Sequence, residues 1–203
     1  MKNYIIIGDS ITYGIGDFET GGYASMFKKY IVEKDDSLVC SNFVHIAGFP
    51  GATSRDILSR IDSILDGLKD EMFDNVVILS IGVNDVTYFD GDFKKSKEIY
   101  RNNMTNIIRK ITDRGYELIL LGLTRIELDD SGYYNNSNIE DYETDLKIIL
   151  DNDDVLKELS KDNGIKYIEM KDILSKDDYI DGLHPNTKGH RKMFERIKDS
   201  LGV

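Results

Sequence analysis

Short apolar runs alternate with longer segments of helical hydrophobic spacing along most of the chain. The near-continuous runs YIII and VVILSI are typical of strands buried on both faces, because a half-exposed strand would alternate apolar and polar residues. The pattern predicts five strands, at residues 4–7, 38–46, 76–80, 118–121 and 166–169.

Between these runs, apolar residues recur every three or four positions, as expected for amphipathic helices. The clearest segments are residues 57–68, 104–111, 146–159 and 193–201, and Gly115 and Gly164 are plausible helix ends. Repetition of strand and helix predicts right-handed crossovers onto a mostly parallel sheet with helices on both faces. We therefore expect an α/β protein in which residues 1–203 form a single domain.

Ligands of open parallel sheets bind outside the carboxyl ends of the strands, so the turns that follow the strands are the most informative. Each predicted strand is followed, directly or after a short interval, by a turn that contains glycine. These turns are residues 8–12 (GDSIT), 47–51 (AGFPG), 82–85 (GVND), 122–125 (GLTR) and 181–186 (DGLHPN). Four of the five hold a residue suited to acyl-transfer chemistry.

Composition narrows the classes of partner. Of the 203 residues, 40% are apolar and 31% are charged, and the formal net charge is −11. This charge repels nucleic acid and anionic membrane surfaces, so neither is expected as a partner. The single cysteine, Cys40, excludes an internal disulfide and a four-thiolate metal site. No signal-peptide pattern or membrane-spanning apolar stretch is visible, which predicts a cytoplasmic protein.

Among the three histidines, His184 is the strongest candidate for a catalytic base. Asp181 precedes it by three residues, so a turn can bring the carboxylate to Nδ1 and direct Nε2 toward a nucleophile. A polar turn that caps the last helix through Asn186 is the alternative interpretation. His45 is expected to be a packing or turn residue, and His190 to lie at the surface or at the edge of the core.

Ser10 is the candidate nucleophile because it follows the first strand. Taken alone, it is equally compatible with a helix N-cap or a phosphate ligand. No Walker lysine follows, and Thr12 occupies the position of the second glycine in the elbow of α/β-hydrolases. Asn84 could likewise form an Asx-turn, and Gly51 a left-handed turn.

Together, these segments resemble the sequence blocks of the SGNH hydrolases, also called GDSL-type esterases and lipases. GDSIT resembles the first block, GFPGATS the second, GVND the third and DGLHP the fifth, in the order of the family and over residues 5–191. The resemblance implies a catalytic triad of Ser10, Asp181 and His184. It also implies a three-layer α/β/α flavodoxin-like fold with a five-stranded parallel sheet, and neither a metal nor an organic cofactor.

The same resemblance implies an oxyanion hole. Its donors would be the backbone N–H groups of Ser10 and Gly51 and the side chain of Asn84, with Gly48 as the weaker alternative to Gly51. Ile11 stands where subgroups of the family carry Leu or Ile, and it does not identify a substrate.

We therefore expect a serine hydrolase that cleaves small carboxylic esters, either short-chain acyl esters or acetylated carbohydrates, through an acyl-enzyme at Ser10. A thioesterase or lysophospholipase is the alternative among enzymes, and a non-catalytic flavodoxin-like binding module is the alternative among binding proteins. Arg125 could meet an anionic substrate group or form a surface ion pair. Six aromatic residues near the turns could line a pocket or only pack: Tyr13, Phe49, Tyr88, Phe89, Tyr133 and Tyr134.

Overall fold

One parallel sheet organises the protein. The computed structural model describes residues 1–34, 42–128 and 139–203. Its five strands run in the order β2-β1-β3-β4-β5, which confirms the predicted flavodoxin-like α/β fold. The strands are β1 (Lys2–Gly8), β2 (Asn42–Gly48), β3 (Asp74–Ser80), β4 (Glu117–Leu121) and β5 (Lys166–Ile168). The beginning of the second predicted strand, with Cys40, lies outside the described residues.

Helices connect the strands. The described residues contain α1 (Ser10–Tyr13), α2 (Gly22–Glu33), α3 (Ser54–Leu68), α4 (Phe93–Thr112), α5 (Ile139–Asn163) and α6 (Thr187–Leu201). The four predicted helices correspond to α3, α4, α5 and α6, each longer than its apolar pattern. Two were not predicted: α1 has only four residues, and α2 begins at a glycine without a side-chain cap. Within the described part of the chain, no helix is long and apolar enough to span a bilayer.

The helices cover both faces of the sheet because successive side chains of a strand point to opposite sides. Tyr4 of β1 packs edge-on against Phe27 of α2, with ring centroids 5.3 Å apart. Its neighbour Asn3 donates from Nδ2 to the carbonyl of Leu68 at the end of α3, at 2.7 Å. On the first face α2 packs against α6, and on the second α4 packs between α3 and α5. Three layers result.

The carboxyl ends of three strands lie at one level. Gly8, the last residue of β1, pairs in register with Gly48 of β2 and Ser80 of β3. α1 approaches these ends closely: a Cβ on Gly8 would lie 2.1 Å from Oγ1 of Thr12, and one on Gly48 would lie 2.4 Å from the backbone nitrogen of Tyr13. Glycine at both positions lets α1 sit directly on the sheet edge, which places Ser10 there.

The last segment of the chain must return to this point from the far edge of the sheet. β5 lies three strand positions from β1, a distance of about 14 Å at the usual strand spacing. The return is held by a backbone hydrogen bond of 2.7 Å from Glu127, after β4, to the carbonyl of Gly182. An antiparallel bridge between Tyr179 and Pro185 closes the turn that carries His184.

Two glycines make a matched test of this packing. Gly48→Ala should destabilise the protein by about 2 kcal/mol or more, because its Cβ would collide with the backbone of Tyr13. Gly67→Ala, in α3 with open space at the Cβ position, should stabilise it by about 0.5–1 kcal/mol. Urea unfolding of both variants measures the difference, and equal stability of the two would contradict the packing of α1 on the sheet.

Candidate active site

Three side chains predicted from two segments far apart in the sequence form a continuous hydrogen-bonded row. Nε2 of His184 lies 3.0 Å from Oγ of Ser10, and Nδ1 lies 2.7 Å from Oδ2 of Asp181. Ser10 and His184 are buried, 6% and 4% exposed. An ionised carboxylate only accepts hydrogen bonds, so the proton of the neutral imidazole lies on Nδ1 and Nε2 accepts from the Ser10 hydroxyl. The arrangement can remove the proton of the serine as it attacks.

A tight turn holds Asp181 against the imidazole. Its Oδ1 accepts from the backbone nitrogens of Leu183 at 3.0 Å and His184 at 2.7 Å, which leaves Oδ2 for Nδ1. Burial opposes the charge of this carboxylate, but the hydrogen bonds from His184 and Leu183 outweigh it and hold the pKa of Asp181 below its usual range. Asn186 in the same segment caps α6 by accepting from Gly189, so the alternative interpretation as a helix cap is also true of this turn.

Ser10 is the first residue of α1, and Asp9 is the helix cap. Oδ1 of Asp9 accepts from the backbone nitrogen of Ile11 at 2.9 Å. The carboxyl group is 2% exposed, and burial raises its pKa to about 6 despite the hydrogen bonds that favour the charged form. Asp9 thus fixes the start of α1 at an electrostatic cost.

The second segment forms a tight turn beside the end of β1. The backbone nitrogen of Ala52 donates to the carbonyl of Phe49 at 2.9 Å, and Gly51 has a φ of 76°, which favours glycine. Among the backbone–backbone hydrogen bonds of the turns and loops that the structure describes, neither the N–H of Gly51 nor that of Ser10 is a donor. Gly48, in contrast, lies within β2 against α1. This geometry favours Gly51 over Gly48 as an oxyanion donor.

Asn84 is oriented by that same turn. It lies in a 3-10 helix, Val83–Tyr88, and its Nδ2 donates one hydrogen to the carbonyl of Ala52 at 3.0 Å, which leaves the second hydrogen for a ligand.

Sequence reasoning missed the network that holds the two segments together. Asp85 accepts from the backbone nitrogen of Ser54 at 2.9 Å and from its hydroxyl at 2.5 Å, and Asn103 of α4 donates to that hydroxyl at 2.9 Å. Burial raises the pKa of Asp85 to about 6 despite these bonds. In the sequence, the position of Asp85 next to the predicted donor Asn84 could have indicated that it supports the site.

The other two histidines lie outside the row. His45 lies within β2 and is partly buried, which lowers its pKa. The prediction that His190 lies at the surface or core edge is wrong, because its side chain is 0% exposed. Its Nε2 lies 3.0 Å from the carbonyl of Ile15, and its Nδ1 accepts from the backbone nitrogen of Tyr23 at 3.3 Å. A buried imidazole needs such partners, and an apolar helix pattern does not reveal them.

The other candidates differ in their contacts. Arg125 pairs with Asp172 across 3.7 Å at the surface. Among the aromatic candidates, Phe89 packs against Phe93, Phe49 lies beneath the guanidinium of Arg60, Tyr88 lies beneath that of Arg55, and Tyr13 is 61% exposed. Tyr133 and Tyr134 lie outside the described residues.

Comparison with known proteins assigns the family. The model of the GDSL-like Lipase/Acylhydrolase family matches residues 6–192. The chain belongs to this family. The predicted resemblance and the prediction of a GDSL-type ester hydrolase are thereby confirmed at the level of the family.

One individual relative is also named an esterase. A multidomain esterase from Ruminococcus flavefaciens is 24% identical over an alignment that covers 92% of this chain and 27% of the relative. The chain thus spans about a quarter of that relative's length.

Solved structures share the fold. A lipase/acylhydrolase from Enterococcus faecalis has 21% identity and a TM-score of 0.72, over 99% of this chain and 95% of its own. A catalytic mutant of an acetylxylan esterase from Geobacillus stearothermophilus has 17% identity and a TM-score of 0.74, over 99% and 94%. The fold predicted from the resemblance is confirmed.

The raised pKa of Asp9 predicts a pH-dependent stability difference. The folded carboxyl group holds its proton up to about pH 6, whereas the unfolded one releases it near 3.8, so this residue's contribution to stability is lost as the pH rises through 6. Relative to Asp9→Asn, which does not titrate, the wild type should lose about 2–3 kcal/mol between pH 4 and pH 8. Denaturant unfolding at both pH values measures this, and a pH-independent difference would contradict it.

Asn84 can be tested separately from the fold. If its amide stabilises the oxyanion, Asn84→Ala should lower kcat by about a hundredfold or more with little change in KM. Thr87→Ala is the control, because Oγ1 of Thr87 donates to the carbonyl of Asn84 at 2.8 Å and is exposed. Equal kcat values for the two variants would make Asn84 a structural residue only.

Proposed function

We propose that this protein is a serine esterase that hydrolyses small carboxylic esters through an acyl-enzyme at Ser10. The observation that carries the proposal is the row from Ser10 through His184 to Asp181, with contacts of 3.0 and 2.7 Å. These distances fall in the range at which an imidazole accepts a serine proton. Membership of the GDSL-like Lipase/Acylhydrolase family supports the same chemistry.

Two steps make up the proposed reaction. Oγ of Ser10 attacks the ester carbonyl as Nε2 of His184 takes its proton, and Asp181 stabilises the imidazolium. The carbonyl oxygen becomes an oxyanion, which accepts hydrogen bonds from Ser10 N–H, Gly51 N–H and the Asn84 amide. His184 then gives its proton to the departing alkoxide, and an alcohol leaves. Water, deprotonated by the same imidazole, hydrolyses the acyl-enzyme and regenerates Ser10.

Short-chain acyl esters and acetylated carbohydrates are the proposed substrates. A structural neighbour is named an acetylxylan esterase. Three side chains with exposed apolar surface are near the triad in sequence: Tyr13 ends α1, Phe18 lies in the loop after α1, and Ile180 precedes Asp181, with exposures of 61%, 89% and 45%. Such surfaces suit the apolar face of a sugar ring or an alcohol group. The net charge of −11 disfavours an anionic lipid aggregate.

The alternative functions differ in whether they require the Ser10–His184–Asp181 row. A thioesterase or lysophospholipase would use the same three residues, so only substrate preference separates it from the proposed esterase. A non-catalytic binding module would not need the Ser10–His184 contact, and the intact row disfavours it.

The proposal predicts substrate preference. In a series of p-nitrophenyl esters from acetate to dodecanoate, kcat/KM should be highest for the shortest acyl chains, and acetylated xylo-oligosaccharides should release acetate. Preference for dodecanoate or for an acyl thioester would favour the enzymatic alternatives.

The nucleophile is tested in parallel. A fluorophosphonate should add once to the wild type, as seen by intact mass, and Ser10→Ala should lose both labelling and turnover. Ser59→Ala serves as the control, because Ser59 is an exposed serine whose Oγ donates to the carbonyl of Asp56 in α3. Labelling that persists in Ser10→Ala would place the nucleophile elsewhere.

A further inference from the structure

The contact between Ser10 and His184 joins two segments that are 174 residues apart in sequence. Asp181 cannot fix the distance between Ser10 and His184, because Asp181 and His184 belong to the same turn and move together. Something else must fix that turn relative to α1. Side chains that connect the loop after α1, residues 14–21, with the start of α6 can do this.

Asp17 makes the first connection. It lies in the loop after α1, is 4% exposed, and accepts from Oγ1 of Thr187, the first residue of α6, at 2.8 Å. The same carboxylate accepts from the backbone nitrogens of Thr20 at 3.1 Å and Gly22 at 2.9 Å. Burial opposes its charge, but these bonds prevail and hold the pKa of Asp17 far below its usual range. One buried carboxylate thus orders its own loop and binds α6.

His190 makes the second connection, one turn further along α6. A carbonyl can only accept, so Nε2 carries the proton that it donates to Ile15, and Nδ1 is free to accept from Tyr23 at the start of α2. The backbone nitrogen of Ile15 in turn donates to the carbonyl of Ser10 at 3.0 Å. Two hydrogen bonds therefore lead from the nucleophile to His190.

Gly16 lies in the same loop as Asp17 and brings the backbone of this loop against the turn that carries His184. A Cβ at this position would lie 2.1 Å from the carbonyl oxygen of Pro185, the residue after His184. The loop after the nucleophile and the turn of the base are thus in direct backbone contact, with Asp17 and His190 on either side.

We propose that Asp17, Thr187 and His190, here called the latch, are positioning residues that set the distance between Ser10 and His184. The proposal rests on the proposed esterase function. The latch does not touch the substrate. It acts by holding the start of α6, and with it the His184 turn, against the loop that follows Ser10.

Thr187 is the latch residue that can be substituted without creating a cavity in the core. Thr187 is half-buried, and Thr187→Val removes its hydroxyl donor while it preserves the shape. We expect kcat to fall between about 5-fold and 100-fold with KM nearly unchanged, because small misplacements of catalytic groups have effects of this size. Thr187→Ser, which keeps the hydroxyl, should restore kcat.

A matched control separates positioning from stability. Tyr116→Phe also removes one hydroxyl hydrogen bond, from Tyr116 to the carbonyl of Leu65 at 3.1 Å, at the amino-terminal end of β4, away from the site. It should leave kcat unchanged. The low-field proton resonance of Nδ1 of His184 should persist in Thr187→Val, because Asp181 and His184 remain within one intact turn.

Asp17→Asn and His190→Gln extend the test. Each should lower kcat. Hydrogen exchange at the amides of Thr20 and Gly22 should also accelerate in Asp17→Asn, and this readout does not depend on turnover.

An unchanged kcat in Thr187→Val, the same kcat loss in Tyr116→Phe, or no recovery in Thr187→Ser would overturn the latch. A wild type that neither hydrolyses esters nor reacts with a fluorophosphonate would instead refute the proposed function, while the exchange rates would still test the latch.

Discussion

The contact of 3.0 Å between Ser10 and His184 is the interaction on which the proposed activity depends, and the fold must bring together two segments 174 residues apart to make it. Ser10 is easily placed: it follows β1, an interior strand whose end is level with those of β2 and β3. His184 follows β5 at the sheet edge. The long return from β5, the Tyr179–Pro185 bridge and the start of α6 all serve this one approach.

Buried carboxylates do much of the local ordering at this edge of the sheet. Asp9 and Asp85 each fix a backbone turn, and burial raises the pKa of both to about 6. Asp17 and Asp181 accept more hydrogen bonds, which outweigh burial and keep their pKa values low. Near neutral pH, Asp9 and Asp85 therefore reduce the stability of the fold, whereas Asp17 and Asp181 increase it.

Periodicity predicted the α/β class and the strands because those signals are local, whereas the residues of the candidate site were singled out by the joint resemblance of their segments to the blocks of the SGNH hydrolases. Apolar runs mark buried strands, and the turns after them carry Ser10, Asn84 and His184. The side chains that hold the site residues in place could not be predicted from local patterns. The partner of Asp17 is Thr187, 170 residues away, and that of Asp85 is Ser54, 31 residues away. Periodicity placed His190 on a helix but could not show that its ring is enclosed by other segments.

A crystal structure of the phosphonylated protein would show whether the segments around Ser10 and His184 form an acyl-transfer site, as proposed. In that structure, we expect a covalent bond from Oγ of Ser10 to phosphorus. We also expect a phosphoryl oxygen within about 2.7–3.1 Å of Ser10 N–H, Gly51 N–H and Nδ2 of Asn84. An adduct on another residue, or a phosphoryl oxygen directed away from these three donors, would contradict it.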